Sequence, residues 1–231
     1  MSVRVYEVGG YVRDSFLTPP LVSNDLDYVV ECDGGWAEML AFAHDHLDTI
    51  YQVKAEFFTI RGNKDGEGID LVMARKDGEY LDGRRPESVE SGSIYDDLTR
   101  RDFTMNAIAR RPSTGQVFDP HGGLTDIESK VIRCVGSNDR LGEDHLRALR
   151  AIRFSVTLGF AIDPRIETAL AHPSIIAGVS RLPRERVQVE LDKMFKHDTI
   201  KSLEALARLS TPMQEAIFSG ALHLAPTMRR K

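Results

Sequence analysis

Two aspartates one residue apart, Asp25 and Asp27, have the spacing in this chain that most directly suggests chemistry. Side chains at positions i and i+2 of a strand point to the same face, so the two carboxylates are expected to converge. Like charges this close repel each other unless a cation lies between them, and carboxylate oxygens are hard ligands that suit Mg2+. The pattern predicts a site for one or two Mg2+ ions. The alternative is a solvated strand edge.

A pair of glycines and an arginine, Gly9, Gly10 and Arg13, come shortly before the aspartates. Glycine has no Cβ, so the backbone can turn tightly here and bring its N–H groups close to a phosphate. Arg13 would add positive charge. A glycine pair alone is more often an ordinary turn, but in this order with the two aspartates it predicts a nucleoside triphosphate site with its metal ions.

A second group of polar residues, Arg101, Asp102 and Asn106, lies within the segment LTRRDFTMNAIA. The apolar residues of the segment recur at a helix-like spacing, which leaves these three to face a ligand. Aspartate and asparagine can hydrogen-bond ribose hydroxyls, and arginine can clamp a phosphate. The alternative is a surface run of charges.

The segment EDHLRALRAIRF, residues 143–154, is predicted to be one helix with Asp144, Arg147 and Arg150 on one side. Asp144 offers an acceptor and Arg147 a rigid planar donor fork, which together can imitate a Watson–Crick edge. An i,i+3 surface salt bridge is the alternative. Arg153 drifts away from this side, so it either contacts the nucleotide or forms a structural ion pair.

The surrounding pattern predicts the elements that would position these groups. Strands are expected at 3–8, around the aspartates, at 57–62 and at 68–74, the last two joined by a hairpin turn at NKDGEG. A short helix is expected after Arg13, and a core helix from Trp36 to Leu47. Residues 75–97 are predicted to form a mobile loop because they are rich in glycine and charge and have no sustained period.

The bulk composition is that of an ordinary soluble globular protein: 231 residues, 42% hydrophobic and 28% charged. The two cysteines stand far apart, which argues against a zinc site or a disulfide framework and favours a reducing compartment. No signal peptide or membrane-spanning stretch is found, so we expect a cytoplasmic location with no membrane partner. The net charge of −5 is unusual for a nucleic-acid binder, but the arginines gather in local clusters.

The motifs together resemble one family. GGYVRD followed by DLD is similar to the opening motif of the class II tRNA nucleotidyltransferase and bacterial poly(A) polymerase family, known as CCA-adding enzymes. The segments LTRRDFTMNAIA, VFDPHGGLTDIESKVIRCVG, EDHLRALRAIRF and LPRERVQVELDKMF are similar to its second to fifth motifs.

This resemblance implies an α/β (α+β) fold: a polymerase-β-like nucleotidyltransferase head with a small mixed sheet at 1–136, followed by an all-helical neck at 137–231. The body and tail domains of the family would be absent. Enzymes of this superfamily often carry a third carboxylate on a neighbouring strand, for which Asp70 is the candidate; a strand-edge aspartate is the alternative. The family also uses a flexible loop, matched here by residues 75–97, to add the terminal A.

The implied function is the addition of CMP and AMP from CTP and ATP to the 3′ end of tRNA, with Mg2+ as cofactor. Asp25 and Asp27 would be catalytic, and an oligomer or a protein partner would compensate for the missing body and tail. Carried over, the nucleotide-binding residues are Gly9, Gly10, Arg13, Arg101, Asp102, Asn106, Asp144, Arg147, Arg150 and Arg153. The alternatives are a poly(A) polymerase or A-adding enzyme on the same scaffold, or a non-catalytic NTP- and RNA-binding module.

Overall fold

The computed structural model describes residues 3–21, 26–78, 87–220 and 222. Asp25 lies outside these residues. The chain divides into two compact units, of which the first takes in the described residues up to Glu128 and the second those from Ser129 onward. The functional division into a head ending at residue 136 and a neck stays a prediction.

The first unit is a mixed sheet with short helices on its faces. Its strands are β1 (Val3–Val8), β2 (Leu26–Cys32), β3 (Thr49–Lys54), β4 (Thr59–Lys64), β5 (Glu67–Met73), β6 (Arg75–Asp77), β7 (Val89–Ser91), β8 (Ala109–Arg110) and β9 (Val117–Phe118). Its helices are α1 (Gly9–Ser15), α2 (Gly35–His46), α3 (Ile94–Thr99) and α4 (Gly123–Glu128), with single 3-10 turns at Ala55–Phe57 and Thr104–Asn106.

In the described part of the unit, the main sheet has the strand order β3-β4-β5-β2-β1-β8-β9. Strand β2 is antiparallel to β1 but parallel to β5. The predicted hairpin is confirmed, because β4 and β5 pair antiparallel on either side of residues 65–66. The small mixed sheet expected from the sequence is present.

The side chains of strand β2 alternate between the two faces of the sheet. Val30 belongs to the core that α2 forms against one face of the sheet, together with Met39 and Ala43 of that helix. Asp27 and Glu31 are four residues apart and each is an odd number of residues from Val30, so they occupy the opposite face. The predicted core helix is confirmed as α2, and it places the apolar core behind the face that carries Asp27.

The segment 75–97 has more structure than the predicted mobile loop. Strands β6 and β7 pair antiparallel, and α3 begins with a capping box in which Ser93 and Asp96 satisfy each other's backbone N–H groups. The expectation was wrong for these residues because a three-residue ribbon and a two-turn helix are too short to produce a periodic pattern. Residues 79–86 of the segment lie outside the described residues.

The second unit is built mainly from helices. They are α5 (Arg140–Glu143), α6 (Leu146–Thr157), α7 (Pro164–Leu170), α8 (Pro173–Ser180), α9 (Arg184–His197), α10 (Thr199–Ala207) and α11 (Thr211–Phe218). Helix α6 packs against α9 and α10. The unit also contains a two-residue parallel pair between β10 (Val131–Ile132) and β11 (Ala161–Ile162).

Among the residues that the structure describes, no helix combines the length and the apolar character needed to cross a bilayer.

Candidate nucleotide-binding site

In the first unit, Gly9, Asp27 and Arg101 converge at one end of β1 and β2. The antiparallel register sets Asp27 opposite Val8, the residue before Gly9. Gly9 has a φ of +71°, which favours glycine, and a Cβ at this position would lie 3.2 Å from Arg101 Nη1 and 3.5 Å from Asp27 Oδ2. The missing side chain therefore leaves a small space bordered by one cation and one exposed carboxylate.

The structure begins helix α1 at Gly9, whereas the sequence predicted a helix only after Arg13. Gly10 is also helical, and a Cβ there would make only ordinary contact, 3.5 Å from Arg13 Nη2. Gly9 is thus the member of the pair whose lack of a side chain matters for the geometry. The roles of both glycines in holding a phosphate stay predictions.

Arg101 is held by the carboxylate of Asp97, which the sequence analysis did not single out. Arg101 donates from Nε and Nη2 to Asp97 Oδ2 at 3.2 and 2.9 Å, and from Nη1 to the backbone oxygen of Asn106 at 3.3 Å. The other oxygen of Asp97 accepts from Nε and Nη2 of Arg100 at 2.9 and 2.6 Å. One carboxylate therefore fixes two consecutive arginines.

Asp97 is completely buried. Burial by itself disfavours its charged form, but the positive charges of Arg100 and Arg101 and their hydrogen bonds hold the pKa of this carboxyl below its ordinary value. The group is therefore ionised at neutral pH. The only sequence sign of this arrangement is an aspartate three and four residues before two arginines, which is also the spacing of an ordinary helical ion pair.

Arg13, Asp102 and Asn106 form a connected buried network. Arg13 Nη1 donates to Asn106 Oδ1 at 2.7 Å, and Asn106 Nδ2 donates to Asp102 Oδ1 at 3.0 Å. Arg13 also pairs with Asp14 at 2.7 Å. All three predicted site residues are buried rather than left on an open helix face. Their contacts with triphosphate and ribose stay predictions.

The helix expected across LTRRDFTMNAIA is wrong. Helix α3 ends at Thr99, and the segment continues as a single 3-10 turn and then β8. Its apolar residues are buried because the chain passes through the interior, not because one side of a helix is buried.

Helix α4, which follows β9, contacts the 3-10 turn at Thr104–Asn106, and the sequence did not indicate this contact. Thr104 donates its hydroxyl to Asp126 of α4 at 2.6 Å, and both residues are buried. A Cβ on Gly123 would lie 2.2 Å from the backbone oxygen of Thr104. The absence of a side chain at Gly123 therefore allows α4 to touch the segment that carries Asp102 and Asn106.

Asp70 lies beside Asp27 in the sheet, since the two residues are register partners on the parallel strands β2 and β5. Its carboxylate also forms an ion pair with Arg61 of β4 at 3.0 Å. Within the described ranges, no three His, Cys, Asp or Glu residues come together as a metal-ion cluster. Because Asp25 lies outside those ranges, the metal assignment of Asp25, Asp27 and Asp70 stays a prediction.

In the second unit, Asp144 precedes a helix instead of lying on it. Its φ and ψ of −135° and 106° are extended, and α6 begins two residues later at Leu146. Asp144 Oδ1 accepts from the backbone N–H of Leu146 at 3.0 Å, and Oδ2 accepts from Arg186 Nη2 of α9 at 3.1 Å. The continuous helix predicted for 143–154 is therefore wrong at its first residues, because an aspartate that can bond the backbone competes with helix formation.

The arginines of the same segment all contact other residues of the second unit, and Arg153 and Arg150 both lie over the ring of Phe154. Arg147 is buried and donates to Glu143 Oε2 at 2.8 Å, while Arg150 lies over the ring of Phe154 at 5.4 Å from its centroid. Arg153 forms an ion pair with Glu190 of α9 at 2.5 Å. Arg153 thus has the structural ion pair that was one of its two predicted alternatives, and nucleotide contact by any of the three arginines stays a prediction.

Comparison with known proteins gives one consistent result. The family model described as "Poly A polymerase head domain" matches residues 5–133. The CCA-adding enzyme of Bacillus subtilis (strain 168) is 36% identical over 199 residues, covering 84% of this chain and 46% of that protein. The CCA-adding enzyme of Geobacillus thermodenitrificans is 39% identical over 194 residues, covering 82% and 45%. The chain spans about half the length of the curated relatives that it matches.

Solved structures agree with these sequence relatives. The CCA-adding enzyme of Bacillus stearothermophilus in complex with CTP superposes with a TM-score of 0.75 at 31% identity, covering 90% of this chain and 48% of that chain. The Thermotoga maritima CCA-adding enzyme complexed with tRNA gives a TM-score of 0.72 at 26% identity, covering 96% and 50%. A tRNA nucleotidyltransferase with a primer tRNA and an incoming ATP analogue gives 0.72 at 29%, covering 94% and 60%.

Proposed function

Because the chain belongs to the poly A polymerase head domain family, as its motifs predict, we propose that it adds CMP and AMP from CTP and ATP to the 3′ end of tRNA without a nucleic-acid template. The observation that carries the proposal is the convergence of Gly9, Asp27 and Arg101 in the first unit. Relatives of similar fold are CCA-adding enzymes bound to CTP or tRNA, which supports the choice of substrates.

The residues present suit a metal-dependent transfer. Asp27 presents an exposed carboxylate beside the space above Gly9, and carboxylate oxygens are the ligands that Mg2+ prefers. Asp25 and Asp27 would hold the metal, with Asp70 as the candidate third ligand. When bound, Mg2+ supplies positive charge that acidifies the attacking hydroxyl and stabilises the leaving pyrophosphate.

The chain's own groups would position the triphosphate for attack. The 3′-hydroxyl of the RNA attacks the α-phosphorus, the bond from that phosphorus to the bridging oxygen breaks, and pyrophosphate leaves. Arg101 Nη1 lies at the place where a phosphate could approach the bare backbone of Gly9, so it would neutralise negative charge there. Arg13 would act through Asn106, which it orients by a hydrogen bond.

Base selection is assigned to Asp144 and Arg147 of the second unit. Arg186 is added to this assignment, because it donates to the carboxylate that would read the base. Glu143 holds Arg147 in the same way. Arg186 would therefore orient Asp144, and Glu143 would orient Arg147, so that each base-reading residue has a partner of opposite charge.

The grip on tRNA is part of the proposal. The 231-residue chain has a net charge of −5, so an oligomer or a protein partner would supply further positive charge for the tRNA phosphates. As tRNA maturation is the proposed activity, a cytoplasmic location remains part of the same proposal.

The second candidate is a poly(A) polymerase or an A-adding enzyme, favoured by the description of the matching family model. The test incubates the purified chain and Mg2+ with labelled CTP or ATP and tRNAs ending before CCA, at C or at CC. Three ordered additions support CCA addition, whereas a lengthening A tail or a single A supports the second candidate. Absence of pyrophosphate release would instead indicate a binding module without turnover.

The matched variant replaces both Asp25 and Asp27 with alanine. Label transfer should be abolished, while CTP and ATP specificity of any residual binding should be kept because the base-reading residues are unchanged. Undiminished transfer would refute the assignment of these aspartates.

A further inference from the structure

We propose that Asp97 is a positioning residue for nucleotide transfer: it keeps the Arg101 guanidinium beside Gly9 and away from the carboxylate of Asp27. The inference rests on the proposed function, in which Arg101 binds the triphosphate and Asp27 the metal. It assigns a role to a residue outside the motifs that identify the family. Asp97 would contact neither substrate nor metal and would act only through Arg101.

The first support is the competition that Arg101 faces. A Cβ on Gly9 would lie within 3.5 Å of both Arg101 Nη1 and Asp27 Oδ2, so the cation and the carboxylate border the same small space. Opposite charges that border the same space attract each other. An Arg101 side chain that was not restrained would pair with Asp27, which would remove a metal ligand and a phosphate ligand together.

The second support is the geometry of the hydrogen bonds between Asp97 and the Arg101 guanidinium. Its Oδ2 accepts from Nε and Nη2, the two donors on one edge of Arg101, at 3.2 and 2.9 Å. This edge-on contact fixes the plane of the guanidinium and directs the remaining nitrogen, Nη1, towards Gly9. The backbone oxygen of Asn106 accepts from the same Nη1 at 3.3 Å, which further limits its rotation.

The third support is that Asp97 is itself immobilised. It is completely buried in α3, whose first turn is fixed by the capping box of Ser93 and Asp96. Its second oxygen is occupied by Arg100, which also lies 3.7 Å from Asp77. Both carboxylate oxygens therefore have partners, and rotation of Asp97 would break bonds to two arginines at once.

The test compares a single variant, Arg100→Gln, with a double variant that also carries Asp97→Asn. Arg100→Gln is the control, since it leaves the contact between Asp97 and Arg101 intact. Asp97→Asn combined with Arg100→Gln removes one negative and one positive charge, so the buried cluster keeps its net charge of one. Asp97→Asn alone would instead leave both Arg100 and Arg101 without the Asp97 carboxylate, which would endanger the fold more.

We expect the control to retain kcat/KM for CTP and ATP within about twofold, and the double variant to lose about 10- to 100-fold, the range expected when a reacting group is misplaced by about 1 Å. The double variant should also need more Mg2+ for half-maximal rate. In an Arg101→Met background, Asp97→Asn should cause no further loss. If Asp97→Asn lowered kcat/KM equally in the presence and in the absence of Arg101, the role of Asp97 would be merely structural and the proposal would be overturned.

Two further measurements separate this proposal from the proposed function. The affinity for a non-hydrolysable CTP or ATP analogue with Mg2+ can be measured for the same variants without turnover. A wild-type chain that binds the analogue but transfers no nucleotide would refute only the proposed activity. The crystal structure of the double variant should show the Arg101 guanidinium turned towards Asp27. An Arg101 that stays beside Gly9 overturns the positioning role whatever the activity.

Discussion

Two consecutive arginines, Arg100 and Arg101, share one carboxylate but face different surroundings. Arg100 turns towards Asp77, the last residue of β6, whereas Arg101 turns towards Gly9. Only the second position borders an exposed carboxylate that could bind a metal. Identical side chains next to each other therefore have different predicted functions, and both follow the last residue of α3, Thr99.

The ionisation of Asp97 should appear in the pH dependence of stability. Its folded pKa is lowered, so its contribution is present above the unfolded value of about 4 and is lost as the pH falls through the folded pKa. Below about pH 5, the free energy of unfolding of the wild-type chain should therefore fall more steeply than that of the variant that combines Asp97→Asn with Arg100→Gln. Urea denaturation across this range measures both slopes, and parallel slopes would contradict the ion pairing.

Asp144→Asn should alter the choice of base more than the handling of phosphate. The substitution keeps the shape but exchanges one acceptor oxygen for a donor and weakens the contact with Arg186. We expect the ratio of kcat/KM for CTP and ATP to change by about tenfold, equal to about 1.4 kcal/mol of discrimination. Glu185→Gln on the exposed side of α9 is the control and should leave the ratio unchanged. The same ratio in Asp144→Asn would remove this residue from base selection.

Glu190→Gln tests whether Arg153 is structural. The ion pair at 2.5 Å lies between side chains that are 12% and 6% exposed, so neutralising Glu190 leaves a buried charge without its closest partner. We expect a loss of about 3 kcal/mol in the free energy of unfolding, with the CTP to ATP ratio conserved. Chemical denaturation and the transfer assay measure the two quantities. A changed ratio with unchanged stability would place Arg153 at the nucleotide instead.

At the scale of elements, the junction between α5 and α6 depends on a neighbouring helix. A Cβ on Gly178 of α8 would lie 1.8 Å from His145 Cδ2 and 2.3 Å from its Cγ, so the whole ring occupies the place of a side chain. His145 directly follows Asp144. The absence of a side chain at Gly178 therefore helps to determine where the α5–α6 junction and its aspartate lie.

Gly178→Ala should consequently displace His145 and the residue before it. Overpacking of this kind costs about 1–3 kcal/mol, and the shift should also reduce discrimination between CTP and ATP. Gly142→Ala in α5 is the matched control, because a Cβ there meets nothing within 4 Å, and it should be neutral or slightly stabilising. Equal stability of the two variants, measured by denaturation, would contradict the packing argument.

At the scale of the whole molecule, we expect the chain to bind nucleotides with ordinary affinity but tRNA only weakly. Its fold is similar to that of a CCA-adding enzyme in complex with CTP, whereas its net charge is −5. We expect its affinity for CTP to lie within about tenfold of that of the Bacillus subtilis enzyme, and its affinity for tRNA to be at least about 100-fold weaker because fewer phosphates are neutralised. Equilibrium binding at one salt concentration measures both. Equal tRNA affinity would contradict the need for a partner or an oligomer.

Sequence patterns predicted those helices and strands that are long enough for their apolar residues to recur at a regular spacing. Asp27 on an alternating strand, the core helix α2 and the β4–β5 hairpin all follow from local spacing, and the family motifs gave the fold. The extended backbone at Asp144 could not be found this way, because the helical spacing of residues 144–153 continues through the break. Asp97, Arg186 and Gly178 were missed because their roles depend on partners that only the folded chain brings near.

The parallel pairing of β2 with β5 also constrains the order of folding. Parallel neighbours cannot be joined by a tight turn, and here the chain between them forms α2, β3 and β4 before it returns. The β4–β5 hairpin can form by itself within microseconds, whereas Asp27 and Asp70 become neighbours only after this long crossover has collapsed. During renaturation, the spectroscopic signals of helix and strand should therefore recover before metal-dependent nucleotide affinity. Recovery of that affinity would report the pairing of β2 with β5.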